Sequence, residues 1–268
     1  MQIIKHYGKS AAFDIEKICA AIMAAQANDE FYEEYSEQEK KNYHRYIRIM
    51  ADLDWPAYIN DDPAFHEFVI DQYDEYGEAG VITAIYDYYG ALYLKDLENQ
   101  IAASNVINHE RLPLFHEAFL LYQLGYYYGT VSILISQIIG ITTDIERYLK
   151  AHNSTYDPVT LKAIHDKYRF EKVSDTSRVM TAVLESKEID DEEGEYGYLM
   201  GYLRFKILGN KIPKMERKEL LEKHPNRNLI FHGVQLNYGT KEHAMKTILC
   251  IDALALVAEV IAEDYKDD

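Results

Sequence analysis

Apolar residues recur along this chain at steps of three and four, which is the spacing of one face of an α-helix. The first such face comprises Ile15, Ile18, Cys19, Ile22 and Met23. Strict alternation of apolar and polar residues in β-branched runs is nearly absent, so the pattern predicts no sheet. The chain is therefore predicted to be all-α.

Capping signals divide the periodic stretches into separate helices. Ser36 and Glu39 have the capping-box spacing, with the glutamate three residues after the serine. Asp62 and Asp157 each precede a proline, which suits the first position of a helix. These signals predict helices that begin directly after residues 36, 62 and 157.

The C-terminal half has the strongest periodicity. A long helical stretch over 114–150 contains two candidate breaks, Gly125 and Gly129. Thr240 is predicted to cap the last helix. Further helices are predicted over 196–208 and 214–223. The apolar stripe of the last helix comprises Ala244, Ile248, Ile251, Ala255, Ala258 and Ala262.

The helical pattern breaks around 105–113, and a more apolar block follows. We place a domain boundary there. It separates an N-terminal helical region of unassigned role (1–105) from a C-terminal helical domain (106–268).

Charge and cysteine content narrow the class of protein. A formal net charge of −17 argues against a broad nucleic-acid platform and against an anionic membrane surface. The two cysteines, Cys19 and Cys250, lie far apart and have no zinc-site spacing. Both fall in apolar helical patterns, which predicts buried thiols in a reducing cytosol.

No targeting or membrane segment is predicted. The first residues lack the apolar core of a signal peptide. The longest apolar run, 131–141, contains two serines and Gln137, and is too short to span a bilayer. We therefore expect a cytoplasmic protein with a buried helix at this position.

One segment carries chemistry suited to a phosphodiester. Asn226 is predicted to cap a short helix that begins at Arg227, and the side chains of Asn228 and His232 share a face of that helix. Arginine can hold two phosphate oxygens, and histidine exchanges a proton near neutral pH. The segment thus combines a permanent cation, an amide and an imidazole, and its predicted chemistry needs neither a metal nor a cofactor.

The spacing of arginine and histidine alone does not identify a site. The pairs Arg111–His116 and Arg147–His152 have the same separation. The first is predicted to open a helix and the second to lie at a helix C-terminus, where cations are favourable. Only the third copy has an asparagine directly after the arginine and a glycine directly after the histidine.

The segment 227–233, with the sequence RNLIFHG, resembles the RNxxxH motif of HEPN (higher eukaryote and prokaryote nucleotide-binding) domains. The stretch 124–129, which leads into the apolar helix around Gln137, is similar to an earlier helix of several phage-defence and uncharacterised bacterial members. The resemblance covers about 114–263. It implies an antiparallel four-helix bundle in which the motif lies near the start of the last core helix.

The resemblance also implies an activity. Many members are metal-independent endoribonucleases of toxin–antitoxin, abortive-infection or CRISPR systems, and their sites usually form between two protomers. Arg227 would bind the scissile phosphate, His232 would be the acid or base, and Asn228 would orient them. The expected partners are RNA, a second copy of the chain, and an antitoxin or defence protein. The alternative is a non-catalytic HEPN module that dimerises or binds a nucleotide or a protein.

Two features adjust this picture. Some HEPN toxins carry a modified tyrosine two residues after the histidine, but this chain has Val234 there, so that regulation is not predicted. The segment from residue 204 to 227 contains eight Lys and Arg but three glutamates, so it is locally basic. Lys214, Lys218 and Lys223 are our candidate RNA-binding residues. Solvated charges paired one helical turn apart explain this basic strip equally well.

The remaining polar clusters have simpler explanations. Asp144 and Glu146 are expected to form a polar cluster at a helix end rather than a site. The tyrosines, 24 in all, are expected to pack at the core and its rim before any role in stacking bases. An exposed acidic face is predicted from Asp71, Asp74, Glu75 and Glu78.

Overall fold

The computed structural model describes residues 36–56, 62–151, 202–209 and 217–264. Every regular element in these ranges is helical, which confirms the all-α prediction. We number the helices α1 Glu37–Asp52, α2 Pro63–Tyr76, α3 Glu78–Tyr88, α4 Ala91–Ala103, α5 Leu112–Gln123, α6 Tyr127–Ala151, α7 Arg217–Lys223, α8 Arg227–Phe231 and α9 Lys241–Asp264. A 3₁₀ turn, His109–Arg111, precedes α5, and a π-helical segment, Tyr202–Ile207, precedes α7.

The predicted helix starts at 36, 62 and 240 are confirmed by their caps. Ser36 Oγ accepts from the Glu39 amide at 3.3 Å, and the Glu39 carboxylate accepts from the Ser36 amide at 2.8 Å. Asp62 Oδ1 accepts from the Ala64 amide, and Thr240 Oγ1 from the His243 amide, each at 3.0 Å. The predicted apolar face at 15–23 and the cap at Asp157 lie outside the described residues.

The long C-terminal stretch breaks at Gly125, one of the two predicted positions. Gly125 has a φ of 80°, a conformation that favours glycine. Its amide donates to Tyr122 O at 3.0 Å, and the Tyr126 amide donates to Leu121 O at 2.8 Å. This pair of bonds is the Schellman motif, which ends α5 and lets α6 turn back along it.

Helices α6 and α9 are the centre of the core. They pack along each other, α5 packs on α6, and α4 contacts both α5 and α9. All six residues of the stripe predicted for the last helix are buried, as is the Cys250 thiol beside them. Burial raises the pKa of that thiol. Cys19 lies outside the described residues.

Contacts at the start of α6 show how the two central helices are oriented. Ser132 Oγ lies 3.1 Å from the hydroxyl of Tyr238, which directly precedes α9. Since the helices pack along each other from this shared end, they run in the same direction.

The N-terminal helices join this core. Tyr93 of α4 donates to the carboxylate of Asp252 on α9 at 3.0 Å, and Gln100 donates to Glu259 at 2.8 Å. The buried residues on both sides of residue 105 form one apolar cluster. The domain boundary at 105/106 stays a prediction.

One helical stretch, Tyr127–Ile145, is long and apolar enough to cross a membrane by length and composition. It extends beyond the run that the sequence pattern singled out. More than half of it is buried inside the protein. Core helices pass the same test, and packing against α5 and α9 accounts for the apolar faces of α6.

Candidate functional site

Helix α8 carries the RNxxxH segment, and Asn226 fixes where it begins. Asn226 Oδ1 accepts from the Leu229 amide at 3.1 Å, which confirms the predicted cap. The other end of the same buried amide donates to Lys206 O and Gly209 O, each at 3.2 Å. Asn226 therefore caps the helix and also ties it to the end of the π-helical segment.

Gln235 is a second buried amide that frames α8. Its Oε1 accepts from the backbone N–H of Asn226 at 2.8 Å, and its Nε2 donates to Leu221 O and His224 O at 2.9 Å each. The side chain of Gln235, which follows α8, thus bonds to the backbone just before α8. Gln235 was not predicted from the sequence, because a single glutamine in a loop carries no pattern that signals burial.

Arg227 points its guanidinium along the surface of α8. Nη1 donates to Asn228 Oδ1 at 3.2 Å, and Cζ lies 5.5 Å from the centre of the Phe231 ring. Nε is buried and has no hydrogen-bond partner among the described residues. Partial burial also lowers the pKa of the group. The guanidinium as a whole is only partly buried, and no acid in the described part of the chain neutralises it.

Asn228 is held on both sides of its amide. Nδ2 donates to Leu208 O at 2.9 Å, while Oδ1 accepts from Arg227. The bond to Leu208 fixes the amide, and the fixed oxygen then orients the guanidinium. The orienting role that the resemblance implies for Asn228 stays a prediction.

His232 is the residue that ends α8, and its side chain is exposed. Its amide donates to Asn228 O at 3.0 Å. Gly233 follows with a φ of 67°, and the amides of Gly233 and Val234 bond back to Ile230 O and Leu229 O as a second Schellman motif. The structure thus brings Arg227 and Asn228 into contact, and joins His232 to them through the backbone.

The lysines of the predicted basic strip are paired with acids of the same helix. Lys218 lies 3.9 Å from Glu222, and Lys223 lies 3.3 Å from Glu219. Lys214 lies outside the described residues. The i,i+4 pairing that was the alternative to an RNA-binding surface is present on α7, and RNA binding by these lysines stays a prediction.

The pair Arg111–His116 has a structural role. Arg111 Nε and Nη2 donate to the two oxygens of the buried Asp144 carboxylate at 2.6 and 3.1 Å, and Nη1 donates to Gln137 at 3.0 Å. His116 lies on the surface, 2.9 Å from Glu98. Arg147 adds a longer contact of 3.6 Å to Asp144. The predicted polar cluster at this end of α6 is confirmed for Asp144.

Exposed apolar side chains surround the motif. Phe231, Val234 and Leu236 are each more than half exposed. Tyr128, at the start of α6, lies against the same loop, because its hydroxyl donates to Leu236 O at 3.0 Å. We call these four residues, together with Tyr126, the apolar rim. Several exposed apolar side chains near one segment are typical of a contact with another molecule.

The acidic residues of α2 and α3 behave as predicted. Asp71, Asp74, Glu75 and Glu78 are all exposed, and Asp74 pairs with Arg45. In the part of the chain that the structure describes, no three His, Cys, Asp or Glu side chains are placed to hold a metal ion.

Comparisons with protein-family models, with curated proteins and with solved structures found no match to this chain.

Proposed function

We propose that this chain is a HEPN-type, metal-independent endoribonuclease whose site is built on α8. The observation that carries the proposal is the state of Arg227. Asn228 aims its guanidinium, and its buried Nε donates to nothing among the described residues. The guanidinium as a whole is only partly buried and is paired with no acid in the described part of the chain, so its positive charge stays available to a phosphate.

The roles of the three residues follow from their chemistry. Arg227 holds the scissile phosphate while the RNA 2′-oxygen attacks phosphorus and the bond to the 5′-oxygen breaks. His232 takes the 2′-hydroxyl proton or gives one to the departing 5′-oxygen, and a cyclic phosphate is left. Its exposed position lets it reach an RNA strand lying across α8. Asn228 keeps the guanidinium in place.

The architecture supports the HEPN assignment. Helices α5 and α6 form an antiparallel hairpin, α9 runs in the same direction as α6, and α8 lies immediately before α9. In a four-helix bundle with alternating directions, the second and fourth helices are parallel in this way. Residues 152–201, between α6 and the π-helical segment, lie outside the described residues.

We further propose that two copies of the chain complete the site. The apolar rim flanks the motif, with Phe231 on one side of His232 and Val234 on the other. Its burial against a second protomer would bring two α8 helices together, as the resemblance implies. A cytoplasmic location and an antitoxin or defence partner belong to the same proposal.

The test is RNA cleavage by the purified chain in the presence of EDTA. We expect cleavage that EDTA does not remove, and a loss of about a hundredfold or more in Arg227→Ala and in His232→Ala. Arg147→Ala and His116→Ala are the matched controls, because they change the same residue types at exposed positions outside the motif and should cleave normally. Equal cleavage by all four variants would contradict the proposal.

A non-catalytic binding module is the second candidate. The observation that favours it is the combination of paired lysines on α7 with an exposed apolar rim, which suits a protein partner better than a polyanion. For this function, Arg227→Ala would leave every measurable activity unchanged. Val234→Asp in the rim would instead abolish self-association or partner binding.

A further inference from the structure

A partly buried polar network links the segments beside α8 to the end of α1. Asp54 Oδ1 lies 3.1 Å from Lys206 Nζ, and its Oδ2 lies 3.6 Å from His224 Nε2. The other ring nitrogen of His224, Nδ1, is 2.9 Å from the Tyr202 hydroxyl. His224 is fully buried. One carboxylate therefore contacts both the π-helical segment and the residue that follows α7.

The backbone at Asp54 is held in an unusual conformation. Its φ of 59° is the only positive value at a non-glycine residue in the described part of the chain. Such a conformation costs about 1–2 kcal/mol for most L-residues and persists where surrounding contacts impose it. The next residue, Trp55, is buried, and its ring packs 4.8 Å from the Lys246 ammonium. Asp54 is thus fixed in place by its ion pair with Lys206 and by the buried side chain of Trp55 next to it.

The charges in this network are balanced. Burial lowers the pKa of His224 to about 4, and the ammonium groups of Lys246 and Lys206 add to this effect, while Asp54 opposes it only in part. The imidazole is therefore neutral near pH 7. Its Nδ1 shares a hydrogen bond with the Tyr202 hydroxyl, and its Nε2 faces Asp54 at a distance longer than a hydrogen bond. Burial acts to raise the pKa of Asp54, but His224 and Lys206 outweigh it and hold that pKa below its usual value.

The remaining cation of the cluster has its own partners. Lys246 Nζ donates to Glu242 at 2.6 Å and to Lys223 O at 3.0 Å. The Asp54 carboxylate is consequently left to balance Lys206. Removing it would leave a largely buried ammonium without its acid.

The two segments that Asp54 joins are those that hold α8. The backbone carbonyls of Lys206 and Leu208 accept from the side chains of Asn226 and Asn228. The backbone carbonyl of His224 accepts from Gln235. Any movement of Lys206 relative to His224 would therefore be transmitted to the cap and to the orienting amide of the candidate site.

We propose that Asp54 is a positioning residue for the candidate site: its carboxylate fixes the π-helical segment against the end of α7 and so holds α8 between them. This gives the N-terminal helices a role, which is to keep the motif in its binding geometry. The relevance of that geometry to RNA cleavage rests on the proposed function.

The test is amide hydrogen exchange on the full chain carrying Asp54→Asn. Asparagine keeps the shape and tolerates a positive φ, so the substitution removes the charge without backbone strain. We expect the amides of Leu229 and Gln235 to exchange about tenfold faster or more, because their bonds depend on the frame around α8. Amides in the middle of α6 and α9, such as Ile138, should keep their rates.

Two further variants make the result decisive. Lys206→Met removes the other half of the ion pair and should accelerate the same amides, with no additional effect in the double variant. Asp74→Asn removes an exposed carboxylate of the N-terminal helices that pairs with Arg45, and should change none of these rates. Unchanged exchange at Leu229 in Asp54→Asn, or equal acceleration throughout α6 and α9, would overturn the proposal.

A cleavage assay on the same proteins separates this inference from the proposed function. If Asp54→Asn loosens α8 but the unaltered chain cleaves no RNA, the positioning role stands and the ribonuclease proposal fails. If RNA is cleaved and Asp54→Asn leaves both cleavage and exchange unchanged, the positioning role fails alone. If both proposals hold, kcat falls in Asp54→Asn, and Asp74→Asn cleaves normally.

Discussion

Arg111 and Arg227 each precede a histidine by five positions, yet the fold uses them in opposite ways. Arg111 is paired with a buried acid, since it donates to both oxygens of Asp144 and to the side-chain oxygen of Gln137. Arg227 meets no acid among the described residues, and its contacts are one amide oxygen and the face of Phe231. The first arginine is paired with a buried acid, and the second is paired with no acid in the described part of the chain.

The difference shows how a structural arginine is distinguished from a candidate ligand-binding one. The distinction lies in the hydrogen-bond partner of the guanidinium and not in the spacing between arginine and histidine. Asp144 lies 33 residues after Arg111, on another helix. A neutral partner such as Asn228 orients a guanidinium without neutralising it, so the positive charge remains available to a phosphate.

The largest effect that tests this contrast is on stability. Arg111→Ala should lower the free energy of unfolding by about 3–5 kcal/mol, because the buried Asp144 carboxylate loses its bidentate partner. Arg227→Ala should lower it by less than about 1 kcal/mol, because that side chain is only partly buried and satisfies no acid. Urea denaturation monitored by circular dichroism measures both.

Arg147→Ala provides the control for this prediction. It removes a mostly exposed guanidinium 3.6 Å from the same Asp144 carboxylate, so its effect should stay below about 1 kcal/mol. A loss for Arg227→Ala as large as that for Arg111→Ala would mean that both arginines are structural, and the contrast would disappear.

A smaller effect is expected from the histidines of the two regions, of which His116 is exposed and His224, beside the motif, is buried. Burial lowers the pKa of His224 from 6.5 to about 4, so the unfolded chain binds a proton here more readily than the folded one. The stability that His224 contributes is therefore complete above pH 6.5 and is lost as the pH falls towards 4. The loss over that range is about 3 kcal/mol.

The comparison that measures this loss is with His224→Gln. The variant cannot take up the proton, so its unfolding free energy should fall by about 3 kcal/mol less than that of the unaltered chain between pH 7 and 4. Burial lowers the pKa of His243 as well, but that residue is present in both proteins and cancels. If the unfolding free energies of the two proteins changed equally with pH, His224 would not take up a proton on unfolding in this range.

The features that the sequence predicted are those set by neighbouring residues. The capping box at Ser36 and the caps at Asp62, Asn226 and Thr240 depend on contacts within three residues, and each is present. The buried stripe of α9 follows from helical periodicity alone. Local geometry of this kind is encoded in a short window of sequence, which is why pattern reading recovers it.

The features that it did not predict depend on residues far apart in the chain. The pairing of Asp54 with Lys206 and His224, and that of Arg111 with Asp144, require the tertiary fold before either partner is known. The choice of Gly125 over Gly129 as the break also needed the backbone, because either glycine could have ended the helix. The three motif residues were found in sequence, whereas the frame that holds them was not.

The smallest effect concerns Gly233, one of the two residues that set the third Arg–His pair apart. Its φ of 67° closes α8, and a Cβ built there would meet no atom within 4 Å, so the fold requires glycine for its backbone and not for space. Gly233→Ala should therefore lower the unfolding free energy by about 1 kcal/mol through backbone strain. Gly233→Asn should cost less, because asparagine tolerates this conformation. Equal losses of unfolding free energy for the two variants in urea denaturation would contradict the strain argument. The glycine would then have to be explained by the chemistry of the candidate site.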